Sequence, residues 1–284
     1  MNVLITGATG FFGRAFIANH NLDIERLVVY SRDEAKQAAM MREFDRPEMR
    51  WMIGDVRDLQ RLARAMKGVD VVIHCAALKR IQTGFYNPDE LVKTNVIGTM
   101  NVIEAAIESN VSRVVFLSSD KAYRAVNAYG QSKALGESLI LNAESLSGGN
   151  TTFACTRFGN VANSTGSVIP TWREVLKGPR SVNNRLPPVP VTDPECTRFF
   201  MTGEQAVSFV CETVTSNLPG VNIPTTLPAY RLGDLAEAMA GFDNMTISGL
   251  SEHEKLHESM SDDLCSETAR RMSVEELREV IDAL

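Results

Sequence analysis

The stretch MNVLITGATGFFG at the start of the chain restricts the fold more than any other segment. NVLIT (2–6) is a short apolar run of strand type. Gly7, Gly10 and Gly13 follow it with G-x-x-G-x-x-G spacing, and a helical pattern occupies 11–19. Glycines allow a tight turn and a close approach of backbone to a pyrophosphate. A helix starting there adds free N–H groups and partial positive charge. Thr9, Phe11 and Phe12 share the turn and join the glycines as cofactor-binding positions. A glycine trio alone is weak evidence, but its place directly after a strand makes it specific. The alternative is a plain glycine-rich turn.

The same alternation continues. Apolar runs at 26–30, 50–54, 70–74 and 113–118 read as buried parallel strands, with helices at 33–44, 58–67 and 88–109 between them. A long helix at 127–146 precedes a sixth strand at 151–158. This order predicts an α/β fold, a doubly wound parallel Rossmann sheet with a small mixed C-terminal substrate lobe. Residues 1–160, with 197–224, form the nucleotide-binding domain, and 161–196 with 225–284 form the lobe. Within the lobe, 184–196 is a Pro-rich loop, while 203–216, 230–242 and 273–284 are helical.

Bulk properties narrow the function. The net charge of −6 argues against general nucleic-acid affinity. No apolar run reaches the roughly 18 residues that span a bilayer, and the N-terminus lacks a leader pattern. Cys75, Cys155, Cys196, Cys211 and Cys265 form no C-x-x-C and read as reduced thiols. Together these predict a soluble cytoplasmic protein without membrane or nucleic-acid partners.

The end of the second strand bears on cofactor type. An NAD site usually places Asp or Glu there, on the ribose 2′-hydroxyl. This chain has Tyr30-Ser31-Arg32, with Lys36 a turn later. Ser31 can donate a hydrogen bond, and the two cations suit a 2′-phosphate, so NADP is expected. Asp33 falls one place too late and caps the next helix. The plain alternative is that Arg32 and Lys36 are solvated helix-start charges. Asp55-Val56 ends the third strand, where the Asp can meet adenine, and Ala76-Ala77 ends the fourth with side chains small enough for a cofactor to lie on the backbone.

Tyr129 and Lys133 are four apart and share one helical face. A nearby cation favours tyrosinate, which can take an alcohol proton during oxidation. The preceding strand ends in Ser118-Ser119-Asp120-Lys121, a second acid/base pair. A dehydrogenase needs only one such pair.

These segments resemble the extended short-chain dehydrogenase/reductase family. Within it they are similar to the NADP-dependent UDP-N-acetylglucosamine 4,6-dehydratases that invert C5 and serve polysaccharide and pseudaminic acid biosynthesis. The resemblance is carried by YSRDEAKQ, GDVRDL, AALKR, YNPDELVKTNVIGTMNVI, SSDKA, NAYGQSK, RFGNVANSTGSVIP, TRFFMT and EKLHE. It implies that Tyr129, supported by Lys133, starts oxidation at C4. Lys121 would then remove the C5 proton, and Asp120 would help expel water from C6. Ser119 stands where the family usually has Thr. Reprotonation of C5 from the opposite face inverts the centre. The resemblance adds Lys79, Asn95 and Val161 as cofactor contacts. It assigns Lys79, Asn160, Ser167, Val168, Arg198 and Glu254 to the nucleotide sugar, and it implies a homo-oligomer. Ser251 replaces an Arg that often contacts the diphosphate in relatives.

HEKLH (253–257) matches the zinc-protease pattern H-E-x-x-H, but the sequence offers no clear third ligand, so no metal is expected and 253–257 reads as a loop and helix start. Rival readings are a 4-epimerase, which needs Tyr129 and Lys133 but not Lys121, a 5,6-dehydratase, and a non-catalytic dinucleotide-binding protein.

Overall fold

A computed structural model describes residues 1–179, 186–216, 218–242 and 244–284. The chain divides into two compact units: Met1–Phe158 with Glu204–Ile223, and Gly159–Gly203 with Pro224–Leu284.

The first unit is built on seven strands: β1 (Asn2–Thr6), β2 (Arg26–Ser31), β3 (Met49–Ile53), β4 (Val71–His74), β5 (Arg113–Leu117), β6 (Thr152–Thr156) and a late strand, Gly220–Asn222. Their order is late strand, β6, β5, β4, β1, β2, β3, and every pairing is parallel. β4 and β5 are buried along their whole length, which is why they read as unbroken apolar runs. The order reverses between β1 and β4, and ligands of such sheets bind off the carboxyl ends of the strands there.

Helices α1 (Phe11–Asn19), α2 (Glu34–Glu43) and α3 (Leu59–Ala65) connect the first four strands. Asp33 caps α2 by accepting from Lys36 N–H, and Asp58 caps α3 by accepting from Arg61 N–H. A short helix α4 (Ile81–Tyr86), absent from the sequence reading, follows β4. The single helix expected at 88–109 is three pieces: α5 (Pro88–Val92), a π-helical turn (Lys93–Ile97) and α6 (Gly98–Glu108). Helix α7 (Ala128–Asn142) follows β5 and is capped by Asn127.

The second unit holds β7 (Asn160–Val161), α8 (Val168–Leu176), β8 (Val189–Val191) and β9 (Thr197–Met201). The chain then passes through α9 (Gly203–Ser216) and the late strand, now β10, in the first unit. It returns as β11 (Ala229–Arg231), α10 (Leu232–Ala240), β12 (Met245–Ile247) and α11 (Val274–Ala283). β9 sits between antiparallel β11 and parallel β7, while β8 pairs in parallel with β12, giving the mixed lobe. Trp172, Phe200, Tyr230, Leu235 and Leu277 fill its core.

Three expectations are corrected. Residues 197–203, expected with the nucleotide-binding domain, belong to the second unit because β9 is the centre of its sheet. The expected loop at 184–196, of which 184 and 185 lie outside the described residues, contains β8. Pro190 fits there because it is the exposed middle residue of a three-residue strand between buried Val189 and Val191, and its carbonyl accepts from Trp172 Nε1 at 2.9 Å. Residues 253–257 form turns and an isolated bridge rather than a helix start. The helix that would align His253 with His257 for a metal is therefore missing. His257 Nδ1 instead lies 2.9 Å from Thr197 Oγ1.

Candidate active site

The glycine turn is required by backbone contacts. Gly7 has φ +65°, and a Cβ on it would lie 2.8 Å from the Ala76 backbone, so the β1 and β4 ends touch. A Cβ on Gly13 would lie 2.3 Å from Ala8 O, because α1 packs directly against the turn. No side chain caps α1, and its first turn carries no acid. Its N–H groups therefore suit a dinucleotide pyrophosphate. Thr9, Phe11 and Phe12 are half-buried in this turn, and Phe12 stacks on Phe158 with ring centres 6.3 Å apart.

At the end of β2, Ser31 is buried while Arg32 and Lys36 are exposed. Arg32 Nη1 lies 3.5 Å from Asp55 Oδ2, and Lys36 Nζ lies 3.1 Å from Asp33 Oδ2. Asp55 also takes Arg57 in a two-pronged contact, with Nη2 at 2.7 Å and Nε at 3.0 Å. Burial opposes the Asp55 charge, but the hydrogen bonds from Arg57 and the charge of Arg32 hold its carboxyl below the usual range. The Val56 side chain is buried and faces Gly98, where a Cβ would lie 2.7 Å from Val56 Cγ2.

A buried relay steadies the end of β4. Thr6 Oγ1 accepts from the Cys75 and Ala76 N–H groups, both at 3.2 Å, which holds the Ala76-Ala77 turn. Its own proton then goes to His74 Nδ1 at 2.7 Å. His74 Nε2 donates to Thr99 Oγ1 at 3.1 Å, and Thr99 donates to Asn95 O at 2.7 Å. Burial, then the Lys133 charge, push the His74 imidazole down to about 3, so it is neutral and structural. Asn95 lies in the π-helical turn, which aims its side chain inward. It donates to Leu78 O and Ser132 Oγ, both at 2.9 Å, and accepts from Leu78 N–H at 2.7 Å. Ser132 passes its proton to Tyr129 O at 2.7 Å, which links β4 to α7.

The acid/base residues of this unit converge. Ser119 begins a 3₁₀ turn (Asp120–Ala122), accepts from Lys121 N–H at 3.3 Å and donates to Asp120 Oδ1 at 2.9 Å. Lys121 Nζ lies 3.1 Å from the same Asp120 oxygen. The Asp120 side chain is fully buried, and Lys121 is 20% exposed, so the carboxylate is inside while its partner reaches solvent. Tyr129, half-buried on α7, has its phenol pushed up by burial. The Lys121 charge and a Ser119 hydrogen bond oppose that shift, and Asp120 reinforces it. Lys133 is buried, with Nζ 3.8 Å from the centre of the Phe116 ring. Burial lowers it to about 8, against the raising effect of Cys155, Cys75 and Glu137. The Lys121 charge thus counters the rise of the Tyr129 phenol, while Lys133 packs against Phe116 one turn further along α7. Lys79 is exposed, and desolvation, Arg80 and Lys121 all lower its pKa, which marks a cationic rim.

The remaining expected residues lie in the second unit. Asn160 and Val161 form β7, in register with Phe200 and Met201 of β9. Ser167 and Val168 begin α8, whose N-terminus has no side-chain cap. Arg198 is buried, donates to Thr197 O and Leu256 O, and pairs with Glu254 at 2.6 Å. Burial opposes its charge, and Glu258 and Glu254 more than restore it.

The sequence reading missed Gln37, which donates to Ser31 and Met52, and the Glu137 carboxylate, which is doubly bonded by Arg157. Gln37 closes the YSRDEAKQ segment that carries the resemblance, which attaches no role to it, and Glu137 falls in no motif. Each is a polar residue on the buried face of a helix, a pattern that sequence shows only once helix orientation is known.

A parallel sheet with this glycine turn, and a Tyr and Lys one turn apart on the helix after β5, define an extended short-chain dehydrogenase/reductase. The family described as "Polysaccharide biosynthesis protein" matches residues 3–278, and the chain belongs to it. A UDP-N-acetylglucosamine 4,6-dehydratase (inverting) of Campylobacter jejuni subsp. jejuni serotype O:2 is 40% identical over 267 residues, 92% of this chain and 78% of the relative. A UDP-glucose 4-epimerase of Rickettsia massiliae (strain Mtu5) is 38% identical over 268 residues, 91% of this chain and 76% of that one. Among solved structures, Pen from Bacillus thuringiensis superposes with a TM-score of 0.88 at 34% identity, covering 100% of this chain and 98% of that one.

Proposed function

We propose that this protein is an NADP-dependent dehydratase that converts UDP-N-acetylglucosamine to a 4-keto-6-deoxy sugar with inversion at C5. The observation that carries the reading is the Asp120–Lys121 ion pair at 3.1 Å, bound through Ser119 to the Tyr129 neighbourhood. The 40% identical dehydratase supports it.

The Gly7–Gly13 turn and the Ser31 end of β2 would hold the dinucleotide, which would supply hydride acceptance at C4 and hydride return at C6. The protein's residues handle protons. Tyr129 Oη takes the C4 hydroxyl proton. The resulting ketone acidifies C5–H, and neutral Lys121 Nζ removes that proton. Asp120, in its protonated form, gives its proton to the C6 hydroxyl as the C–O bond breaks and water leaves. A proton delivered to C5 from the other face completes inversion. Asn160, Ser167, Val168, Arg198 and Glu254 are assigned to the nucleotide sugar, with Glu254 setting the Arg198 guanidinium. NADP is preferred over NAD because the end of β2 offers Ser31, Arg32 and Lys36 and no carboxylate at the Ser31 position.

The 4-epimerase reading accounts for Tyr129 and Lys133 but leaves the Asp120–Lys121 pair with no C5 or C6 proton to move. We also place the protein in the cytoplasm, where its five free thiols stay reduced, and expect a homo-oligomer, which light scattering on the purified protein tests.

Incubation with UDP-N-acetylglucosamine in D₂O, followed by NMR at C5 and C6, tests the reaction. Water loss with deuterium at C5 and inverted configuration is expected. No water loss refutes the dehydratase reading, and retention at C5 refutes the role of Lys121. Lys121→Ala is expected to lower water loss at least about 100-fold, the scale of general-base catalysis, with NADP affinity nearly unchanged.

A further inference from the structure

The end of β2 carries a hydroxyl proton with no acceptor among the described residues. Ser31 is 6% exposed, and the only polar side-chain atom meeting its Oγ among those residues is Gln37 Nε2, at 3.0 Å. The same nitrogen lies 3.0 Å from both Ser31 O and Met52 O. Carbonyl oxygens only accept, so the atom facing them must be the amide nitrogen and not its oxygen. An amide nitrogen cannot accept in turn. Gln37 therefore donates to Ser31, and the Ser31 O–H points elsewhere.

Gln37 is 3% exposed and sits in the first turns of α2, whose start is fixed by the Asp33 cap. Both members of the contact are thus held. The cations nearby are less fixed: the Arg32 and Lys36 side chains are 50% and 66% exposed, and each faces a carboxylate. A 2′-hydroxyl can donate or accept, so it gains little from a donor of set direction. A 2′-phosphate at neutral pH mainly accepts.

We propose that Gln37 is a positioning residue for cofactor choice: it fixes Ser31 as a hydrogen-bond donor, and that donor selects the 2′-phosphate of NADP. This rests on the NADP reading above. Without the Gln37 amide, the Ser31 hydroxyl is free to turn back toward the carbonyls that shared that nitrogen.

The test is direct titration of the purified full chain with NADPH and with NADH, comparing dissociation constants for wild type, Gln37→Met, Ser31→Ala and the double variant. Wild type is expected to favour NADPH. Each single variant is expected to narrow that preference roughly tenfold, the size of one hydrogen bond to a charged group, with NADH affinity within about threefold of wild type. The double variant is expected to lose no more than Ser31→Ala, since the two act as one unit. Should Gln37→Met lose cooperative melting, Gln37→Asn, which withdraws the amide by one methylene, carries the same test. A wild-type preference that survives Gln37 and Ser31 substitution overturns this inference alone. An equal loss for both dinucleotides also overturns it, by showing a merely structural role. A wild type that binds NADH as tightly as NADPH overturns the NADP reading and this inference together. None of these outcomes depends on whether the protein dehydrates a sugar.

Discussion

Gly130, between the motif residues Tyr129 and Lys133, sets the distance between the two acid/base pairs. A Cβ there would lie 2.2 Å from Lys121 O and 3.1 Å from the Ala125 Cβ. Carbon approaches a carbonyl oxygen to about 3.3 Å at best, so Gly130→Ala must open this contact by roughly 1 Å. The obstacle is backbone, and Asn127 fixes the helix start by accepting from Gly130 N–H at 2.8 Å. Relaxation has to separate the first turn of α7 from the Ser119–Lys121 turn. Overpacking of this kind costs about 1–3 kcal/mol, partly offset by the gain of up to about 1 kcal/mol from replacing Gly in a helix. The variant is therefore expected to fold, with a net loss of about 0–3 kcal/mol in urea denaturation. A misplacement of 1 Å between reacting groups lowers rate by about 100-fold. Turnover of UDP-N-acetylglucosamine, followed by NMR, is expected to fall by about that factor, with dinucleotide affinity within about threefold. A folded variant that retains a third or more of wild-type turnover refutes the reasoning, because the two turns would then not need their close contact.

Other variants probe the charges around this contact. Lys133 has a folded pKa of about 8, below its ordinary value of 10.5. Between those values the unfolded chain binds more protons, so this group's contribution to stability rises with pH from about 8 to 10.5 and is flat below 8. Lys133→Met is expected to remove that rise, and melting curves of both proteins across pH 7–10 check it. Arg157→Leu leaves the buried Glu137 carboxylate without its two-pronged partner. It is expected to cost about 3–5 kcal/mol in urea denaturation, much of it recovered when Glu137→Leu is added. Lys121→Ala removes the cation that lowers Tyr129. The Tyr129 phenol, isolated by ultraviolet difference titration against Tyr129→Phe, is then expected to ionise at higher pH than in wild type. An unchanged titration refutes the coupling.

Much of the first unit is legible in the sequence because its strands are buried on both faces and leave unbroken apolar runs, as at Val71–His74 and Arg113–Leu117. Caps such as Asp33 and Asn127 mark helix starts locally. The second unit is harder to read. β7 has two residues and β8, β11 and β12 have three each, too few for any period to register. Helix α8 begins VIP, and Pro170 argues against helix unless it is recognised as a first-turn residue. The π-helical turn at Lys93–Ile97 has no signal, since it interrupts a sequence that is helical throughout. At the site, Tyr129, Lys133, Asp120 and Lys121 are legible by spacing or resemblance. Which cation reaches which acid is not, because side-chain direction follows from how α7 meets the 3₁₀ turn.

That meeting changes how the two pairs relate. In sequence they are separate: Tyr129 with Lys133 for oxidation, Asp120 with Lys121 for elimination. In the mechanism proposed above Lys121 would serve both, since its charge favours Tyr129 ionisation and its Nζ lies 3.1 Å from Asp120 Oδ1. The two tasks need opposite states of one amine. More of Tyr129 is in its basic, ionised form while Lys121 is charged, and Lys121 removes a proton only when neutral. Once Tyr129 has taken the C4 hydroxyl proton, its negative charge is gone and the ammonium of Lys121 loses an attractive neighbour. Its proton is then held less tightly. The first proton transfer thus prepares the second, in the order that the chemistry at C4 and then C5 requires. Lys133 is set against Phe116, with Cys75, Cys155 and Glu137 acting on its charge. The coupling we propose therefore belongs to Lys121, whose contact with Asp120 is the part that elimination alone would need.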